Sequence, residues 1–214
     1  MPLQNRVTPF GALVAEPARG LFLGNRGGRF HDPATRALRA RRWASKQWIV
    51  CLLDFKNRHR EVWKTGYTEL FFLDEVTALA AGHRPCCECR RTAARGFQAA
   101  LIAAGESPSS LSGIDARLHA ERLDGRGKRL HQIAAESLPD GAMIALDDKA
   151  FAVRGDAVLP WTPSGYGTPR KRPTDLVDVL TPSLTLASLR GGYAPLWHPT
   201  APPTSRFHDL QDSA

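Results

Sequence analysis

The sequence predicts an α+β protein, with a metal-stabilised N-terminal half and a small antiparallel β-rich C-terminal half packed on it. Three observations lead there. Two stretches, near residues 74–82 and 90–105, carry apolar side chains at helical spacing between helix start and stop signals. The segments around them are short apolar runs bounded by Gly, Asn, Asp and Pro, the pattern of strands and turns. Three of the four cysteines, Cys86, Cys87 and Cys89, fall within four positions.

In order along the chain, residues 19–24 read as a strand. Asn25-Arg26-Gly27-Gly28 turns it, and 29–31 return as a hairpin partner. Residues 33–46 are crowded with arginine (Arg36, Arg39, Arg41, Arg42) and read as a helix. The run 47–55 is almost wholly apolar and reads as a buried strand, with 60–63 pairing back and 67–73 as a further strand. Asp74 is placed to cap a short helix that ends at Gly82. A second helix, 90–104, has Phe97, Leu101 and Ala104 on one stripe and stops at Gly105. Residues 118–138 read as mixed helix interrupted at 124–127. After Pro139 come short strands at 142–146, 150–154 and 158–161, a Gly/Pro loop holding Arg170-Lys171-Arg172, a strand at 175–180 and a helix at 183–189. The turn-rich stretch 105–113 divides the chain into residues 1–106, residues 114–200 and a loose tail, 201–214.

Bulk composition narrows the function. The 214 residues are 43% hydrophobic and 23% charged, ordinary values for a packed protein. No run of about 18 apolar residues exists to span a membrane, and the first residues, Met1-Pro2-Leu3-Gln4-Asn5-Arg6, do not read as a signal peptide. Clustered cysteines, two of them adjacent, suit reduced thiols in the cytoplasm better than a disulfide framework. A net charge of +8 with pI ≈ 9.8 favours polyanionic partners, DNA or RNA first.

Pro85-Cys86-X-X-Cys89 is half of a tetrahedral zinc site, since two intervening residues let both sulfurs reach one ion. An unmetallated or redox-active pair of thiols is the alternative. The segment from Leu70-Phe71-Phe72 through the alanine-rich stretch to Gly82-His83-Arg84-Pro85-Cys86-Cys87-Glu88-Cys89-Arg90 resembles the zinc-binding domain of the Ada alkylation-response family. Leu23-Gly24-Asn25-Arg26-Gly27-Gly28-Arg29-Phe30-His31 is similar to the entry strand of that family's relatives, and together the two stretches span about residues 20 to 91. The resemblance implies His31, Cys86 and Cys89 as zinc ligands. The fourth ligand stays open among Asp32, Cys51, His59, His83, Cys87 and water; Thr35 stands where the relatives have cysteine. The chain lacks the family's first cysteine pair, which contains the methyl acceptor, so methyl transfer is not expected.

The expected function is therefore a zinc-stabilised nucleic-acid-binding protein of DNA repair or defence, with Arg26, Arg29, Arg39, Arg42 and Arg90 meeting phosphates. The alternative is an enzyme acting on nucleic acid or nucleotides: a hydrolase, a glycosylase or a permuted deaminase. His119, Glu121 and His131 would then supply acid/base chemistry.

Overall fold

The computed structural model describes residues 1–58, 61–107 and 110–204. In chain order the N-terminal elements are β1 (Arg6–Val7), β2 (Leu13–Val14), β3 (Phe22–Arg26), β4 (His31–Asp32), β5 (Ala37–Leu38), β6 (Trp48–Leu52), β7 (Leu70–Phe72), α1 (Glu75–Ala80), β8 (Arg84–Pro85) and α2 (Arg91–Ala103). Then follow α3 (Leu111–Arg122), β9 (Leu123–Asp124), β10 (Gly127–Lys128), β11 (His131–Ala134), β12 (Met143–Leu146), β13 (Lys149–Arg154), β14 (Ala157–Thr162), β15 (Gly165–Tyr166), β16 (Arg170–Lys171), β17 (Leu176–Val179) and α4 (Ser183–Arg190).

The strands form a six-stranded sheet ordered β2-β1-β7-β3-β6-β8, a seven-stranded sheet ordered β11-β17-β12-β13-β14-β15 with β16 also on β14, and two hairpins, β4–β5 and β9–β10. The larger sheet is antiparallel throughout. The smaller is mixed, since β1 runs parallel to β7 and β8 parallel to β6.

The fold is thus mostly β, with four short helices among the described residues, and this corrects the α+β expectation. The largest single departure is residues 33–46, expected as a helix. There Asp32 accepts hydrogen bonds from the amides of Ala34 and Thr35 at 2.9 and 3.0 Å, closing a side-chain turn. Arg36 then takes a left-handed φ of 54°, which no right-handed helix tolerates, and Ala37–Leu38 pair back onto His31–Asp32. Arginine favours helix on its own, but this stretch has no apolar stripe to bury. Downstream of Arg122 the expected mixed helix is the β9–β10 hairpin followed by β11. Arg60 and the tail from 205 onward lie outside the described residues.

One helix organises the interior. All six residues of α1 are buried, the polar Glu75 and Thr77 included, so the helix is packed on every side. Ala78 faces the smaller sheet with Phe22, Val50, Leu70 and Phe72. Val76 and Ala80 meet Met143, Leu159 and Leu180 of the larger sheet. Leu79 joins Phe97, Leu101, Leu118 and Leu184 of the other helices. Each fully buried Leu, Val or Phe contributes about 1.5–3 kcal/mol. Alanines between them let two sheets approach one thin helix. Asp74 caps α1 by accepting from Thr77 N at 2.8 Å and also accepts from Tyr166 Oη at 2.8 Å, while Trp161 donates to Thr77 Oγ1 at 2.9 Å. The C-terminal stretch 161–166, without a role in the sequence reading, therefore closes over the start of α1.

Gly24 lies in the middle of β3, where a Cβ would sit 2.3 Å from Ile49 O and 2.7 Å from the Phe72 ring. Gly24→Ala is expected to destabilise the protein by about 1–3 kcal/mol, the range for overpacking. A lower urea midpoint at unchanged m-value would register it.

Candidate metal centre and the opposite face of its sheet

The centre begins with strand alternation. Successive residues of β6 point to opposite faces. Register pairs Cys51 with Leu23 and Ile49 with Asn25, and Leu23 in turn with Phe71. Those residues share the outer face. Val50 and Trp48, paired with Gly24 and Arg26, share the inner one. Strand β8 lies parallel to β6 with Pro85 opposite Val50, and Cys86 N donates to Val50 O at 3.0 Å. The Cys-X-X-Cys turn therefore opens beside Cys51. The sulfurs of Cys51, Cys86 and Cys89 lie within 4.8 Å of one another, close enough to hold one metal ion. The Glu88 amide donates to Cys86 Sγ at 3.4 Å. Cys87 turns away, its sulfur accepting from Arg84 at 3.6 Å, and all four cysteines are unpaired by disulfides.

Two buried ion pairs hold the turn, one on each side. Before it, Arg84 binds both carboxylate oxygens of Asp115 on α3 at 2.7 and 2.8 Å. After it, Arg90 binds both oxygens of Glu75 on α1 at 2.7 and 2.8 Å. The second pair also explains a cation at a helix start, where the macrodipole disfavours it: Glu75 neutralises Arg90 directly.

As thiols, the three cysteines share protons. Cys51 is pushed up, first by its hydrogen bond to Cys86, while donors from Cys51 and Cys89 pull Cys86 well below the ordinary thiol range. An arrangement that stabilises one thiolate among thiols is also one that favours a bound cation. Beside the sulfurs a cavity of about 260 Å³ is floored by the outer sheet face, including Asn25 and Glu69, and walled by Phe55, Arg58, Tyr67 and Glu88. Glu69 is 2% exposed and accepts from the Trp63 amide at 3.0 Å.

The structure places the other expected ligands elsewhere. His31 is fully buried, but its Nδ1 meets Thr68 Oγ1 at 2.8 Å and its ring stacks on Trp63 at 5.5 Å. It is not one of the three clustered residues; Cys51 takes the place expected for it. Asp32 is spent on its turn, and His83 packs on the inner face against Trp48 and Phe72. His59 lies outside the described residues.

The arginines divide. Arg29, Arg39 and Arg42 are exposed. Arg26 and Arg90 are 2% and 7% exposed, too buried to meet the phosphates expected of them. The acid/base trio does not converge. Glu121 accepts from Arg117 at 2.8 Å and from Leu184 N at 2.7 Å, so its carboxylate serves the start of α4. His131 meets the Glu121 carbonyl at 3.2 Å, and His119 accepts from Arg122 at 2.8 Å.

Sequence reasoning missed a cavity on the inner face, about 420 Å³, lined by Arg26, Arg42, Trp43, Trp48, Arg122 and Lys128. Its only sequence signal was the local density of Arg and Lys. The guanidinium carbons of Arg26 and Arg122 lie 3.9 and 3.8 Å from the Trp48 ring centroid, a doubled cation–π contact.

No protein-family model matches the chain, nor does any curated protein or solved structure. Among the described residues no helix is long and apolar enough to cross a membrane.

Proposed function

We propose that this chain is a zinc-thiolate protein that binds nucleic acid through its exposed arginine segment. The observation carrying the reading is the convergence of Cys51, from a strand 35 residues upstream, on Cys86 and Cys89. A tetrahedral zinc with bonds of about 2.3 Å sets its sulfurs about 3.8 Å apart, a spacing that small side-chain shifts reach from the observed cluster. Zinc suits an all-thiolate set better than magnesium or calcium, which prefer oxygen. The ion would tie β6 to the β8–α2 turn.

Nucleic acid enters on charge. Arg29, Arg36, Arg39, Arg41, Arg42 and Lys46 are all exposed within eighteen positions. Phosphates would supply the missing counter-charge. The likeness of residues 70–90 to the Ada-type zinc domain is what points to DNA repair or defence. Of the five arginines expected at nucleic-acid phosphates, Arg29, Arg39 and Arg42 are exposed and support that reading, while Arg26 and Arg90 are too buried to meet a nucleic-acid backbone.

The test is binding to single- and double-stranded DNA across a salt series. Affinity should fall linearly on a log–log plot, and Arg29→Ala, Arg39→Ala and Arg42→Ala should each reduce the slope by about 1. Absence of binding at low salt, with zinc in place, refutes the nucleic-acid reading.

A second reading, a metal-dependent enzyme, is favoured by the cavity that adjoins the sulfurs and contains the buried Glu69. A zinc held by three protein ligands keeps a position for water. Cobalt substitution separates the two: a water-bearing centre shifts its spectrum when small anions are added, and a closed one does not.

A further inference from the structure

The inner-face cavity has a charge pattern that folding alone does not explain. Arg26 and Arg122 are 2% and 1% exposed, and the Lys128 ammonium is turned inward onto the Ala80 carbonyl. No described carboxylate forms an ion pair with any of the three. Their acceptors are uncharged: Gly11 O at 2.8 Å for Arg26, Gly82 O and Lys46 O at 2.7 Å for Arg122, and the rings of His83 and His119. Asp115 acts on Arg122 electrostatically, but its two oxygens are already taken by Arg84. Arg122 Nε and His83 Nδ1 are buried and meet no acceptor among the described residues. Exposed Arg42 and Arg126 extend the same sign of charge to the rim.

Buried charges are ordinarily paired, because an unpaired one is costly to desolvate. Three cations lining one cavity, with no ion-paired carboxylate among the described residues, are stable together when an anion is supplied from outside. We propose that this cavity is a binding site for the phosphate group of a small phosphorylated ligand. The guanidinium donors suit phosphate oxygens. The volume exceeds that of a bare phosphate, and Trp43 on the wall offers an aromatic surface to whatever the phosphate carries. Burial, and after it the neighbouring guanidiniums, push Lys128 down to about 7, so a bound dianion would favour its charged form. This site lies on the opposite face of the sheet from the thiolates and does not rest on the nucleic-acid reading.

The experiment uses the full zinc-loaded chain, titrated calorimetrically with inorganic phosphate, with a nucleoside 5′-monophosphate and with the corresponding nucleoside. Phosphate and nucleotide are expected to bind and to raise Tm, and the nucleoside to do neither. Tighter binding of the nucleotide assigns the site to nucleotides; equal affinity assigns it to free phosphate. Lys128→Gln, which keeps a polar side chain and removes its charge, should weaken the phosphate-bearing probes at least tenfold with zinc content unchanged. Should that variant fold poorly, Arg126→Ser at the exposed rim is expected to weaken them about threefold. No binding of either phosphate-bearing probe at millimolar concentration overturns the proposal. So does equal binding of the nucleoside, or unaltered affinity in a folded Lys128→Gln variant. None of these outcomes touches zinc content or the DNA salt slope, so its failure is distinct from failure of the proposed function.

Discussion

Cys51→Ser is expected to leave the purified protein almost free of zinc, while the unaltered chain retains the ion through desalting. Structural zinc sites draw about 10–16 kcal/mol of binding free energy, much of it expressed as folding stability. Here the ion would join β6 to the start of α2, beside the short β8 pairing and the Cys86 N to Val50 O hydrogen bond. Loss of one of three thiolates is therefore expected to lower both metal content and Tm, and a chelator should lower Tm of the unaltered protein to a similar value. Two substitutions give the contrast. Cys87→Ser removes a sulfur turned toward Arg84, and His31→Ala removes the imidazole stacked on Trp63; both should keep the metal. Elemental analysis decides the matter: full zinc in Cys51→Ser, or its loss only in His31→Ala, would replace the three-sulfur assignment with the imidazole-containing one.

Glu75→Ala should be among the most destabilising single changes. Its carboxylate accepts from Arg90 twice, from Tyr193 Oη at 2.5 Å and from Leu196 N at 3.0 Å, and it is 1% exposed. Removing it strands the Arg90 guanidinium in the interior, for which the cost is about 3–5 kcal/mol. At about 2–4 °C per kcal/mol for a chain of this size, Tm should drop by about 6–20 °C. Arg90→Met should cost a comparable amount by stranding Glu75. The double variant, with neither charge left, should lose markedly less than the two single losses added together. Strict additivity in that cycle would mean that the pair is not coupled in the way its geometry implies.

Some local signals in the sequence are legible and others are not: the strand at 22–26 pairs with β6 and β7 and not with residues 29–31 as expected. Asp74 as a cap, Gly82 and Gly105 as helix stops and the strands from 143 to 162 are each encoded within a few residues, and each stands close to its expected place. The helix expected over 33–46 does not form because the Asp32 turn and the left-handed Arg36 outweigh the helix propensity of its arginines. The three-cysteine cluster is half legible. Cys86 and Cys89 announce themselves by spacing. Cys51 sits in an apolar strand that looks like core, and only the parallel pairing of β6 with β8 brings it to them. The inner cavity was illegible for the same reason: Arg26, Arg122 and Lys128 are separated by up to 102 positions, and nothing local says that they meet.

Strand β6 is five residues long, yet it serves both cavities: Cys51 faces the sulfur cluster and Trp48 the cationic chamber behind it. Inserting or deleting one amino acid inside it would rotate every later side chain by half a turn. The thiol would then point among guanidinium groups, and an aliphatic chain would point at the remaining sulfurs. Length variation is therefore forbidden within this one segment, and both candidate sites would be disrupted in a single mutational step.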